Sequence, residues 1–240
     1  MAQVLFYNTP EPLDSQKHRH LKINTQAASL DFAKTTNSVP LAVVEFGPAA
    51  LEYPIVFAGP SIETLMPAAL LGVRDRENLF VGSDGKWQGR YVPAFIRRYP
   101  FVLGQAKPDN FTVMIDTQSP LLQPDQGEAL FTEQGEQTAY FKEVVKFLAD
   151  YQAQMQRTQL LMQELRRLNL LVSKSLQIKD QSGKTFNLTG FWTVDEEKLR
   201  SLPEADAAAM LKNGMLGSIY AHLLSLANVV ALHNRLKLAA

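Results

Sequence analysis

The 240-residue chain has no cysteine, only two tryptophans and a formal net charge of zero. Without cysteine there is no thiolate nucleophile, no thiolate-ligated zinc and no disulfide framework, so burial of apolar surface has to hold the fold together. A chain of this length manages that, because it buries roughly 70% of the surface it would expose unfolded. The 24 Lys plus Arg match the 24 Asp plus Glu, with both signs interspersed in both halves, which removes the electrostatic footprint that duplex DNA or an anionic membrane demands. Nucleic acid is not an expected partner. The start, MAQVLFYNTPEPLDSQKHRH, lacks a basic segment followed by an apolar run of signal-peptide length. No later uninterrupted apolar run reaches the roughly eighteen residues of a membrane span. A soluble, cytoplasmic protein is expected, in which the Asn-x-Thr triplets at Asn110 and Asn187 carry no glycan.

Common catalytic signatures are missing as well: there is no GxSxG elbow, HExxH helix, GxGxxG turn or Asp-rich calcium loop. SGKT at 182–185 imitates the end of a phosphate-binding loop, but Ile178 stands where the first glycine is required and a strand-like TFNLTGFW follows in place of a helix. A hairpin turn through Asp180 to Lys184 is the better reading. No cofactor is expected.

Residues 1–132 read as β-rich and irregular. The short apolar runs PLAVVEF (40–46), YPIVFAG (53–59), NLFVG (78–82) and FTVMID (111–116) alternate with Pro and Gly breakers, a pattern that suits strands. The Asp-Gly pair in GSDGKWQG predicts a hairpin there. From Glu136 the period changes. Phe141, Val144, Leu148, Tyr151, Met155, Thr158, Met162 and Leu165 recur in steps of three and four, which keeps one stripe of a long helix facing a partner. SLQIKDQSGKTFNLTGFWTV (175–194) predicts two strands, Asp195 an N-cap, residues 204–213 a helix ending at Gly214, and Leu216, Ile219, Leu223, Leu226 and Val230 a last apolar helix seam. The expected fold is therefore one α+β domain over 1–240, with an internal boundary candidate at 118–135. Its β-rich first half precedes a long antiparallel helix pair with an intervening β-hairpin. The seam at 141–165 also offers a homodimer interface if the last helix does not fill it.

The densest chemistry lies in GRYVPAFIRRYPFVLG (89–104). Pro93 and Pro100 bias Val92 and Tyr99 toward extended backbone, so Arg97 and Arg98 point to opposite sides unless the segment coils. An arginine beside Trp87, Tyr91 or Tyr99 can stack on the ring and keep its fork for a carboxylate or phosphate. The structural alternative is an arginine paired with Glu45 or Asp116, two carboxylates that border the sheet interior. His18 and His20, in KHRHLKI, lie about 7 Å apart if that segment is a strand, near enough to share a metal ion. Their bland reading is as solvated polar residues near a chain start. His222, with Ser218 and Ser225, forms a polar stripe beside the last apolar seam: either a hydrogen-bonded seam or a proton-transfer group.

NSVPLAVVEF, YPIVF, NLFVG with its following Gly-x-Trp, YVPAFIRRYPF, VMID, LTGFWTVD and GMLGSIYAHLLSLANVVAL occur in an order that resembles the bacterial SapC family, named for a surface-layer locus and distinct from the similarly named peptide-transport permease. HRHLKI resembles that family's His-Arg-x-Leu opening. The resemblance implies neighbours such as flavin-dependent tryptophan halogenase-like proteins, cupin-type hydroxylases and outer-membrane receptors, and hence an accessory or binding role. It brings no catalytic residues. The matching positions are His18, Trp87, Tyr91, Arg97, Arg98, Tyr99, Asp116, Trp192 and His222.

The favoured expectation is a non-enzymatic protein that recognises a peptide, an amino-acid-like ligand or a partner enzyme around residues 87–101, with Asp116 and His222 as further binding candidates. The alternatives are a metal-assisted enzyme built on His18, His20 and Asp116, and a structural surface-layer protein.

Overall fold

The computed structural model describes residues 5–25, 29–107, 110–179 and 185–238, and the expected turn at Asp180–Lys184 lies outside these. Strands β1 (Pro10–Pro12), β2 (Lys22–Ile23), β3 (Ser38–Pro40), β4 (Ile55–Ala58), β5 (Met66–Leu70), β6 (Phe101–Lys107), β7 (Asn110–Asp116), β8 (Leu122–Gln123) and β9 (Glu128–Ala129) fill the first half. Two one-turn helices, α1 (Phe46–Ala49) and α2 (Ala94–Arg97), interrupt them. The second half holds α3 (Ala139–Arg167), the hairpin β10 (Leu171–Lys179) and β11 (Thr185–Val194), and then α4 (Glu196–Arg200), α5 (Glu204–Lys212), α6 (Met215–Ser225) and α7 (Val229–Leu238). The fold is α+β.

Antiparallel pairing gives a five-stranded sheet in the order β10-β11-β4-β5-β3, a three-stranded sheet β1-β7-β6 and a small sheet β8-β2-β9. Ile55, Val56 and Phe57 on β4 are all buried, because that central strand is covered on both faces. Two predicted strands are absent. PLAVVEF ends its strand at Pro40 and turns into the 3-10 segment Val43–Glu45, since the Glu45 carboxylate reaches back to accept from the Ala42 amide. NLFVG keeps only a one-residue bridge, Val81 to Trp87, closed by a turn in which Gly85 adopts φ 74°, a conformation glycine takes freely.

Helix α3 starts where its sequence says it should: the Thr138 hydroxyl accepts from the Phe141 amide at 3.2 Å. Arg166 and Arg167 in its last turn suit the negative end of the helix dipole. Its buried stripe includes Phe141, Leu148, Tyr151, Leu161, Met162 and Leu165. The chief partners of that stripe are the Val43–Glu45 turn and strands β5, β6 and β9, whereas α6 packs on α1, α5, β4 and β11. The long helices thus line the sheets instead of forming mainly a pair, and the α3 seam is filled inside the chain, not left for a dimer. Two apolar clusters result, one around Phe46, Tyr53, Phe57 and Phe80, the other around Tyr99, Phe101, Ile115 and Leu130. Helix α3 contributes to both, Phe141 and Leu148 to one and Tyr151, Leu161 and Met162 to the other.

The last helices keep most of the expected seam, with Ile219 buried and Leu216, Leu223 and Leu226 half-buried against the core, but His222 and Ser225 share the inward face and Val230 leaves it. Ile219, His222, Ser225, Leu232 and Leu236 face inward, while Leu224 and Val230 are 74% and 66% exposed. By length and composition the run Met215–Leu236, 22 residues with mean hydropathy 1.6, is apolar enough to cross a membrane, although no uninterrupted apolar run of span length occurs in it. The isolated polar residues that break the uninterrupted run do not lower its mean enough.

Candidate functional site

Residues 94–97 coil into α2, so the arginine-bearing stretch is a helical turn and not extended chain. A buried carboxylate is the reason. Glu45 Oε1 accepts from the Ala94 amide and from the Tyr91 hydroxyl, each at 2.7 Å, and Oε2 from the Ala42 amide at 2.9 Å. A negative charge at the first amide of a helical turn is favourable. Burial, reinforced by the Glu45 charge, pushes the Tyr91 hydroxyl up to about 12, so it stays a donor at neutral pH.

Asp116 is fully buried and equally engaged. It accepts from the amides of Thr9 (2.9 Å), Asn8 (3.1 Å) and Gln118 (3.3 Å) and from the Tyr99 hydroxyl (3.2 Å). Neither carboxylate pairs with an arginine among the described residues, which corrects the ion-pair expectation: backbone amides and tyrosine hydroxyls satisfy their oxygens instead. Among the described residues no acid lies within ion-pair distance of Arg97 or Arg98.

The two arginines diverge. Arg98 is enclosed by rings, its guanidinium carbon 4.0 Å from the Phe95 centroid, 5.4 Å from Tyr151 and 5.9 Å from Tyr7, and its buried Nε has no partner. Arg97 is exposed. Its Nε donates to the Val92 carbonyl at 2.9 Å and its guanidinium lies 5.1 Å from the Phe147 centroid. Trp87 serves the scaffold: its Nε1 donates to the Tyr91 carbonyl (3.0 Å) and the Tyr53 hydroxyl (3.1 Å), and its ring stacks on Phe80 at 5.7 Å.

Arg97 lines a hollow of about 300 Å³ where the two apolar clusters meet. Phe32, Val92, Ile96 and Tyr99 give it an apolar wall, and Ile23, Leu30, Leu121 and Tyr140 with the polar Asn24 and Thr25 complete its lining. Tyr99 stacks on Phe32 with centroids 4.1 Å apart and spends its hydroxyl on Asp116, so it offers the hollow a ring. Burial raises the Tyr140 hydroxyl, with the Glu128 charge adding to the effect, which keeps it neutral. The result is a largely apolar slot edged by an arginine that no acid pairs among the described residues. Ile23, Phe32, Leu121 and Tyr140 were not anticipated, because they are scattered over more than a hundred residues and carry no shared local pattern. A wider open cavity of about 850 Å³ is lined by Lys34, Arg74, Arg76 and Arg235. Its cations are largely engaged, Lys34 by Asp31, Arg74 by Glu77 and Arg235 by the Gln88 carbonyl at 2.7 Å.

The histidines go elsewhere. KHRH forms turns, not a strand, and His18 is 3% exposed instead of solvated. Its Nδ1 accepts from the Asp14 amide at 2.9 Å, so the proton sits on Nε2 and is donated to Glu11 Oε1 at 2.9 Å. His20 is exposed, and the structure does not bring His18, His20 and Asp116 together. Among the described residues no three His, Cys, Asp or Glu side chains group as a metal-ligand set. His222 is sealed on the inward face of α6, both ring nitrogens bonded to backbone, which takes it out of the binding candidates. Trp192 sits on β11 opposite Phe57 of β4.

Fold and hollow together define an α+β protein with a small, largely apolar recess edged by an arginine that has no acid partner among the described residues. The SapC family model matches residues 13–232, nearly the whole chain, and the protein belongs to the SapC family. No curated protein and no solved structure matches it.

Proposed function

We propose that this is a non-enzymatic binding or accessory protein whose recess takes an amino-acid-like ligand or a peptide end that joins an apolar or aromatic side chain to a carboxylate. Arg97 carries this reading: among the described residues its fork has no acid partner, and it edges a recess walled by Phe32, Ile96 and the Tyr99 ring. A planar guanidinium binds carboxylate in two parallel bonds, and an apolar slot of about 300 Å³ matches one such side chain. An aromatic amino-acid-like ligand also suits the association with tryptophan-halogenase-like enzymes that the family resemblance implies.

Calorimetric titration with N-acetyl-phenylalanine and N-acetyl-leucine, each against its primary amide, tests this. The carboxylates should bind about tenfold or more tightly than the amides, and Arg97→Ala should remove the difference. Equal binding of acid and amide, or no binding of either by the unaltered protein, rejects the proposal.

A further inference from the structure

The outer face of the last helices is a charge-free apolar stripe. From Gly214 to Asn234 there is no Asp, Glu, Lys or Arg. Gly217, Tyr220, Leu224, Ala227 and Ala231 follow one another in steps of three and four and are all exposed, with Tyr220 at 40% and Leu224 at 74%. Leu51, 75% exposed, extends the patch from the neighbouring α1, whose following residue Ala50 accepts from Asn228 Nδ2 at 2.7 Å. His222 and Ser225 take the inward face because the β4 backbone claims them, and Leu224, between them in sequence, points outward.

We infer that this stripe is the contact between two copies of the chain, antiparallel about a two-fold axis at Leu224. The order of residue sizes argues for a second copy. A two-fold operator places each position opposite its mirror in the stripe. Tyr220 then meets Ala227 of the second copy, Gly217 meets Ala231, and Leu224 meets itself, so large residues fall against small ones and the helix axes can approach to about 8–10 Å. A parallel arrangement would set Tyr220 against Tyr220.

Area sets the strength of the contact. At roughly 100 Å² for a fully exposed large side chain, Leu51, Tyr220, Leu224 and Val230 at their exposures present on the order of 250 Å² of apolar surface. That is under half of what each partner contributes to a small specific interface, so the contact is a weak, reversible one. A lipid surface fits less well, because amphipathic helices that lie on membranes carry Lys and Arg along their rim. Here the stripe has none, and Arg235 at its end is folded back over Phe80 and onto the Gln88 carbonyl. The inference is independent of the recess near Arg97.

Sedimentation of the full chain from about 1 to about 200 µM should show a monomer–dimer equilibrium in the micromolar range. Leu224→Arg should be monomeric throughout with an unchanged thermal melt, since the side chain it alters is mostly exposed. Because the chain has no cysteine, Leu224→Cys introduces a single thiol that should cross-link two copies under mild oxidation, whereas Leu160→Cys, exposed on α3, should not. A monomer at the highest concentration overturns the inference, as does a dimer that survives Leu224→Arg. So does a monomeric protein that binds phosphatidylcholine–phosphatidylglycerol vesicles through Leu224, which would assign the face to lipid.

Discussion

His222 holds Ile55 from 167 residues away: its Nδ1 donates to the Ile55 carbonyl at 2.8 Å, while Nε2 accepts from the Val194 amide at 3.1 Å. The Ser225 hydroxyl completes the clamp by accepting from the Ile55 amide at 2.9 Å. One turn of α6 therefore fixes the start of β4 and the end of β11, satisfying backbone groups that sheet pairing leaves over.

That clamp predicts a specific acid sensitivity. Burial pushes the His222 imidazole down from 6.5 to about 4, only partly offset by its bond to Ile55. An unfolded histidine takes up its proton near pH 6.5, so the folded state has its full advantage above that pH and loses it as pH falls toward 4. The loss is on the order of 3 kcal/mol. Denaturant titrations at pH 7.5 and 4.5 should show it in the unaltered protein, and His222→Gln should be weaker at pH 7.5 with a flatter dependence. Parallel pH profiles in the two proteins would refute the assignment.

Glu45 ties three segments with one carboxyl group. Glu45→Ala strands the Ala42 and Ala94 amides and the Tyr91 hydroxyl, at a cost of roughly 3 kcal/mol or more. Glu45→Gln keeps one acceptor but turns a donor toward the Ala42 amide, and should fall between. Chemical denaturation measures both; equal stability of Glu45→Ala and the parent would show that the carboxylate is not holding α2.

Asp116 anchors the approach to β1 through Asn8 and Thr9. Asp116→Asn replaces one acceptor with a donor, so amide exchange at Asn8 and Thr9 should quicken by about tenfold or more, the equivalent of about 1.4 kcal/mol, while the middle of α3 stays protected. Uniform acceleration across the molecule would mean that Asp116 supports the whole fold and not this segment.

Arg97 and Arg98 should respond oppositely to charge-preserving replacement. Arg97→Lys retains the charge at the recess but not the fork, and should weaken carboxylate binding by about fivefold to tenfold without touching stability. Arg98→Lys loses the planar contact with Phe95, Tyr151 and Tyr7 and should instead lower the melting temperature. Identical ligand affinity in Arg97→Lys and the parent would remove the fork from recognition.

Local patterns announced the local elements. The three-four spacing of α3, the paired strands β10 and β11, Asp195 capping α4 through the Glu197 and Lys198 amides, and Gly214 at φ 80° between α5 and α6 are all decided within a few residues. The misreadings arose where a distant group decided. Glu45 reads as part of an apolar strand until its carboxyl finds Ala94, and His222 reads as a polar residue beside the α6 seam until Ile55 claims it. His18 was the exception with a local cue, Asp14 four residues earlier and Glu11 seven. Of the recess, only the wall from 92 to 99 was visible, because the rest is assembled from remote loops.

Helix α3 is about 44 Å long at 1.5 Å per residue over its 29 residues, and both apolar clusters are fastened to it. It works as a shared axle: loosening one end costs the other its support. Heating should accordingly dismantle the molecule in a single cooperative step, and a protease that cuts within α3 should release neither half as an intact fragment.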